Sequence, residues 1–284
     1  MRPVKTVLLT LLSSSLLFAC QNDSKMDSSG GGNLEARVKK LEEQNAKYAE
    51  ALDFLQKVYG QQKAQQQAQE ESEPDPNAMF AVDIAQNVKT GFVDGPSSGA
   101  PVTIVAAEDF ACPYCERVSG TLDELVKEYN GKVRVVFKNM VVHPQVTNAH
   151  LAGCAAAKQG KFQQFKTTWW EKGFKARKMD DANIETIAKE IGLDMGKFKS
   201  DKDSSECKSI VEADQQELQK FRVNSTPTLF VNGTHVGGAL PKEAFKQMID
   251  EKLKVAENQS DYYDKVVMAT GTKQFKSKKD SAAN

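Results

Sequence analysis

The sequence predicts an α/β chain whose core opens strand–helix–strand and closes on a β-hairpin, with a helix-rich stretch between and a patterned helix in front. Three observations carry that prediction. Pro101-Val-Thr-Ile-Val-Ala is an apolar run that leads, past Cys112, into Tyr114, Val118, Leu122, Leu125, Val126 and Tyr129 at helical spacing; Lys132-Val-Arg-Val-Val-Phe then reads as a second strand, with Gly131 before it. Asn232-Gly233 separates Leu229-Phe-Val from Thr234-His-Val, a strong cue for a hairpin. Apolar residues at Leu34, Val38, Leu41, Tyr48, Leu52, Leu55 and Tyr59 alternate steps of four and three, with Asn45 in the polar slot. The chain has 284 residues, of which 40% are apolar, enough for one or two globular domains. Its 38 basic residues balance 38 acidic ones, so no global field draws nucleic acid. Five cysteines are an odd number, and one thiol needs a role outside an intramolecular disulfide.

Arg2 and Lys5 precede a nearly uncharged run, Thr6 to Phe18, that ends at Ala19-Cys20, which is the pattern of an export signal over residues 1–19. Residues 20–32 are Ser, Gly, Asn and Asp rich, the composition of a flexible tether. The heptad seam then spans residues 33–60. With Val38, Asn45, Leu52 and Tyr59 as a positions, Asn45 fixes register, and Arg37 at g faces Glu42 at e across a parallel seam, so a parallel dimer or trimer is expected. A helix docked on its own domain is the alternative. Residues 61–78 are a polar linker, rich in Gln and Glu, in which the helix can continue as far as Pro74 and Pro76.

The chemistry is expected at Cys112-Pro113-Tyr114-Cys115. A strand delivers two cysteines to the start of a helix, where unpaired N–H groups and the helix dipole favour a thiolate. Cys112 is therefore the expected acidic, exposed nucleophile. Cys115, one turn on and facing inward, is placed to resolve a mixed disulfide. Pro113 sits where the helix has no use for an N–H. Half of a zinc site and an inert disulfide are the competing readings; Cys154 and Cys207 are isolated, and His143, His150 and His235 are not at ligand spacing from them. No metal and no cofactor beyond the dithiol is expected.

Asp109-Phe-Ala-Cys-Pro-Tyr-Cys115, Gln159-Gly-Lys-Phe162 and Thr226-Pro-Thr-Leu-Phe-Val-Asn-Gly233 occur in the order found in the DsbA-like thiol–disulfide oxidoreductases of bacterial envelopes, which the chain resembles over roughly residues 85–256. The resemblance implies a thioredoxin-like fold with an inserted helical subdomain, placed over 79–256 with the insertion at about 143–222; the heptad pattern puts a coiled-coil helix in front of it, and residues 257–284 are left as a tail. It also implies that Pro227 is a cis-proline beside the dithiol and that Thr226, with Pro113 and Tyr114, meets substrate. Ala19-Cys20 resembles a lipobox, which would make Cys20 a lipid-bearing first residue, with Gln21 pointing to the outer membrane. One departure stands out: the buried acid expected six residues before the first cysteine is Ala106, with Glu108 and Asp109 nearer the turn.

Within the insertion, Leu151, Cys154 and Ala155; Phe162, Phe165 and Trp169; Ile184, Ile187, Ala188 and Ile191; and Cys207, Val211, Asp214, Leu218 and Phe221 form apolar stripes. Two leftover thiols in an oxidising compartment favour a Cys154–Cys207 disulfide over buried free thiols. His143 and His235 read as surface residues, and the lysine-rich end as a solvated tail with room for a Tyr262-Tyr263 contact. The expected function is an envelope thiol–disulfide oxidoreductase, an oxidase, isomerase or reductase of cysteine-containing exported proteins. It would be served by an envelope redox partner, lipid-anchored facing the periplasm, and oligomeric through residues 33–60. The alternative is a non-catalytic envelope scaffold whose thioredoxin-like domain binds peptide.

Overall fold

The computed structural model describes residues 32–257 and 259–282, so the export signal, the tether and Cys20 lie outside the described residues. Two units divide the chain, residues 1–64 and 65–284. In the first, the described part belongs to α1, a helix from Gly32 to Ser72 that continues through the polar stretch to its proline break. Its heptad residues are exposed, from 46% at Val38 to 68% at Tyr59.

The second unit is built on a five-stranded sheet in the order β1-β3-β2-β4-β5. A short helix α2 (Ala85–Thr90) precedes β1, Val93–Asp94, too brief for a sequence pattern to reveal. β2 (Val102–Glu108), α3 (Pro113–Glu128) and β3 (Val133–Asn139) form the expected strand–helix–strand unit, with β2 and β3 parallel. Both strands are buried along their whole length, which suits central strands covered on two faces. The insertion follows: α4 (Thr147–Lys158), α5 (Phe162–Trp169), a π-helical turn (Trp170–Lys175), α6 (Asp181–Glu190), α7 (Met195–Lys202) and α8 (Ser205–Lys220). Most of the stripes read from sequence face a core centred on Phe110, Phe162, Phe165 and Trp169, while Leu218 and Phe221 at the end of the last one pack with Phe80 and Phe230 instead.

β4 (Thr228–Val231) and β5 (Thr234–Gly237) are the hairpin, and β4 pairs antiparallel with β2. Asn232 and Gly233 both adopt positive φ, 42° and 84°, as a two-residue hairpin turn with the right-handed strand twist requires. Asn232 also fastens the hairpin to β2, accepting from Thr103 N at 2.8 Å and donating to Pro101 O at 3.0 Å. α9 (Lys242–Ala256) covers the α3 side of the sheet. The chain then packs back onto the sheet unit rather than ending as a solvated tail: Tyr263 and Val267 are fully buried against Phe80, Val82 and Phe230. His235 likewise departs from the surface position expected of it. Its ring packs edge-on against Phe80 and Phe230, and burial lowers its pKa.

Candidate active site

β2 ends at Glu108, a three-residue turn follows, and Cys112 caps the N-terminus of α3 with extended backbone, φ −87° and ψ 121°. Its carbonyl accepts from the N–H groups of Cys115 and Glu116, both at 3.1 Å, so the helix begins at the dithiol itself. Cys115 is fully buried, and both cysteines are free thiols. The Thr226–Pro227 bond is cis. The Thr226 carbonyl accepts from Cys112 Sγ at 3.2 Å, and Pro227 is buried behind it while Pro113 is exposed. Tyr114 is 55% exposed beside Cys112, with the Arg117 guanidinium 5.3 Å above its ring.

Cys112 is less open than expected. Only 5% of it is exposed, with the Thr226 carbonyl, just before β4, 3.2 Å from the sulfur. Its acidity nevertheless matches the helix-terminus argument. The Cys115 thiol, and to a smaller degree Thr226 and the N–H groups of Cys115 and Tyr114, lower the Cys112 pKa to about 5 against the opposing effect of burial. Cys115 moves the other way: burial, its bond to Cys112 and the Glu108 carboxyl hold its pKa far above that of a free thiol. The two sulfurs therefore differ in kind, one an anion at neutral pH and the other a thiol.

Glu108 was the residue whose role the sequence left open. Side chains two apart on a strand share a face, so Glu108 looks out from the same side of β2 as Ala106, which packs against Val118 and Leu122 of α3. The acid is displaced by one pleat toward the dithiol and stays inside. It is 1% exposed, its Oε2 has no hydrogen-bond partner, and burial raises its pKa from 4.5 to about 8, with the Lys166 charge tempering the rise. Lys166, from α5 of the insertion, is 2% exposed and pairs with Asp94 at 2.5 Å and Asp123 at 2.9 Å. Burial disfavours its charge, yet those carboxylates keep it protonated.

Asp109, also fully buried, is a frame for the loop. Its carboxylate accepts from Ala111 N (2.7 Å), Val142 N (2.6 Å) and His143 N (2.9 Å), and His143 Nδ1 lies 3.0 Å away. His143 is thus half-buried at the rim rather than a free surface residue. His150 is buried, with its pKa lowered by desolvation to about 4, so the ring is neutral. Sequence reasoning missed Glu108, Asp109, Lys166, Asp94 and Asp123 as a set. The signal available was the Glu-Asp pair at the end of an otherwise apolar strand, where parity sends one acid to each face. Away from the dithiol, Cys154 of α4 and Cys207 of α8 are bonded across 53 residues, with Cα atoms 5.7 Å apart and both side chains fully buried.

A family model described as Thioredoxin matches residues 86–251. The chain is 30% identical over 194 residues to the "probable disulfide bond formation protein D" of Bacillus anthracis, covering 63% of this chain and 82% of that protein. It is 32% identical over 143 residues to the Na(+)/H(+) antiporter NhaA 1 of Mycolicibacterium gilvum, and that match takes in 47% of this chain but only 22% of the antiporter. The chain thus spans about a fifth of the length of such relatives. Among solved structures, a thioredoxin-like oxidoreductase from Silicibacter pomeroyi DSS-3 superposes with a TM-score of 0.54 at 24% identity, covering 61% of this chain and 98% of that one; the likeness is one of fold. The chain belongs to the thioredoxin family. In this chain the thioredoxin fold carries a helical insertion, α4 to α8, between β3 and β4.

Proposed function

We propose that the chain exchanges disulfides with cysteine-containing exported proteins through Cys112 and Cys115. The placement of Cys112 at the start of α3 beside the cis Thr226–Pro227 segment, with Cys115 buried one turn on, is the observation that carries this reading, and the opposite displacement of the two thiol pKa values, down to about 5 at Cys112 and far up at Cys115, accords with it. In the reducing direction, the Cys112 thiolate attacks one sulfur of a client disulfide; an S–S bond forms to Cys112, and the client's other sulfur leaves as a thiolate. Cys115 then loses its proton, attacks Cys112 Sγ, and closes the Cys112–Cys115 disulfide while the second client thiolate departs. Glu108 is suited to take that proton, since a carboxyl titrating near 8 within the protein can both accept and return it around neutral pH. The oxidising direction runs the same steps backwards and returns two electrons to an envelope redox partner. Exposed Pro113, Tyr114 and Val142 supply an apolar rim on which client chain would rest, and Thr226 beside the sulfur would meet its backbone.

The carrier is proposed to be a parallel dimer or trimer through residues 33–60. The seven apolar seam residues of α1, Leu34 to Tyr59, are 46% to 68% exposed, a stripe that a helix alone in water does not keep without a partner. Lipid attachment at Cys20 would hold it at the outer membrane, facing the periplasm. Among the described residues, no helix is long and apolar enough to cross a membrane.

Insulin reduction, refolding of scrambled ribonuclease and oxidation of reduced ribonuclease, each with wild-type and Cys112→Ser protein, test the activity. Turnover in at least one that Cys112→Ser abolishes is expected; a Cys112→Ser protein as active as wild type would sink it. Sedimentation of the full chain and of a deletion of residues 33–60 tests the carrier: a mass that falls to one chain on deletion is expected, and a monomer in both contradicts it.

A further inference from the structure

The residues after α9 do more than complete the core, and they lie beyond the stretch that the family model matches. Their first part is a root. Tyr263 is fully buried and donates its hydroxyl to Val82 O at 2.7 Å. Asp264 pairs with Arg134, which is 1% exposed and spends its other donors on Thr103 Oγ1 (2.9 Å) and Ser97 O (2.7 Å). Gly271 closes the root: a Cβ there would sit 2.6 Å from both Met79 O and Val267 O, so the backbone passes where no other residue fits.

The second part reaches the end of α1. Thr272 exchanges main-chain hydrogen bonds with Met79 and Ala81, both at 2.7 Å. Asp75 N donates to Lys276 O, and Lys278 N to Glu73 O, each at 2.9 Å. Phe275 stacks on Phe80, while Arg222 lies 4.5 Å over the Phe275 ring and donates to Glu71 O at 3.1 Å. Three ion pairs complete the grip: Lys276 with Asp75 (3.2 Å), Lys278 with Glu73 (3.3 Å) and Lys279 with Glu71 (2.5 Å).

The two parts differ in how firmly they hold. A buried arginine whose ion pair is broken is left uncompensated, so the root opens only with the domain. Two of these pairs, Lys278–Glu73 and Lys279–Glu71, join exposed groups, while Lys276 meets a buried Asp75; exposed lysine–carboxylate pairs are weak and screened by salt, and a segment held at its end by them and a few edge hydrogen bonds belongs to the low-stability end of a structure. We propose that residues 272–280 are a releasable strap that fastens the last turn of α1 and residues 73–81 to the catalytic unit, and that its release turns this splice into a free linker while the dithiol site stays folded. Resting on the oligomeric reading above, fixed or free, the splice decides how far a dithiol can travel from the coil that carries it.

Hydrogen exchange of the full chain, read at residues 69–81 in low and in high salt, tests the strap in three proteins. These are wild type, Lys278→Glu/Lys279→Glu, and that variant with Glu71→Lys/Glu73→Lys added to restore opposite charges. Exchange at 69–81 is expected to speed up about tenfold in the charge-reversed protein and in wild type at high salt, and to return toward wild type in the swapped protein. Unchanged exchange in the reversed protein, or a rise that the swap fails to reverse, overturns the strap. Alkylation of Cys112 at the wild-type rate in all three shows that the catalytic unit is folded. Sedimentation of the same samples reads the oligomer separately: a monomeric mass removes the coil reading and leaves the exchange result to decide the strap.

Discussion

Two pairs of buried cysteines sit in one chain in opposite chemical states. Cys154 and Cys207 lie within helices, both fully enclosed, joined to each other and walled in by Ala155, Phe198 and Ile210 of the insertion core. Cys112 and Cys115 are buried almost as deeply, yet they remain thiols at the start of a helix, one stabilised as an anion and the other held neutral. Burial alone therefore does not make a thiol inert. Asymmetry does the sorting: the Cys115 S–H, with smaller help from N–H groups at the helix start, lowers the Cys112 pKa, while burial, the hydrogen bond to Cys112 and the Glu108 carboxyl raise that of Cys115.

The largest effects should separate the pairs completely. Cys112→Ser is expected to abolish disulfide exchange with no loss of the Cys154–Cys207 bond. Removing that bond with Cys154→Ala/Cys207→Ala should leave Cys112 as acidic as before while lowering stability by roughly 4 kcal/mol, the chain-entropy value for a loop of this size. Urea denaturation with parallel alkylation checks both; a double-alanine protein with a shifted Cys112 pKa would show that the two sites are coupled.

Glu108→Gln comes next and sharpens the contrast within the reactive pair. Without a carboxyl to take its proton, Cys115 should resolve mixed disulfides about 10²-fold more slowly, a general-base effect, while the Cys112 thiolate attacks client disulfides at its usual rate. Trapped mixed disulfide on a gel is the readout. Stability should move the opposite way. The folded-state pKa of Glu108 is raised from 4.5 to about 8, so ionisation penalises the fold increasingly as pH rises through that window and not at all below it. Glu108→Gln should match wild type near pH 4 and exceed it at pH 8 to 9, by about 1.4 kcal/mol for each unit of the displacement. Equal pH–stability curves would contradict the buried acid. The smallest effect belongs to Tyr114→Ala: with that ring 55% exposed, stability should change by under about 0.5 kcal/mol, and only client affinity should fall.

The sequence made some of this legible and hid the rest for physical reasons. The dithiol, the two parallel strands and the hairpin announce themselves because their signals are local: a CxxC at a strand–helix junction, Gly131, Asn232-Gly233. β1 did not, since two residues hold no period. Lys166 reads as one more polar residue on an amphipathic helix, and only tertiary packing brings Asp94 and Asp123 to it from elements 72 and 43 residues away. The lysines of the last segment looked solvated for the same reason, because their partners at Glu71, Glu73 and Asp75 lie some 200 residues upstream. Ala106 pointed away from a buried acid, yet the strand period carries Glu108 to the same face.

The most direct test of the asymmetric dithiol is the pH dependence of iodoacetamide labelling of the reduced full chain, counted thiol by thiol by mass spectrometry. The expected result is one fast site, Cys112, whose rate rises with a midpoint near pH 5, with Cys115 unlabelled to pH 9. A Cys112 midpoint near the ordinary thiol value of about 8.5, or Cys112 and Cys115 labelling together, would contradict it.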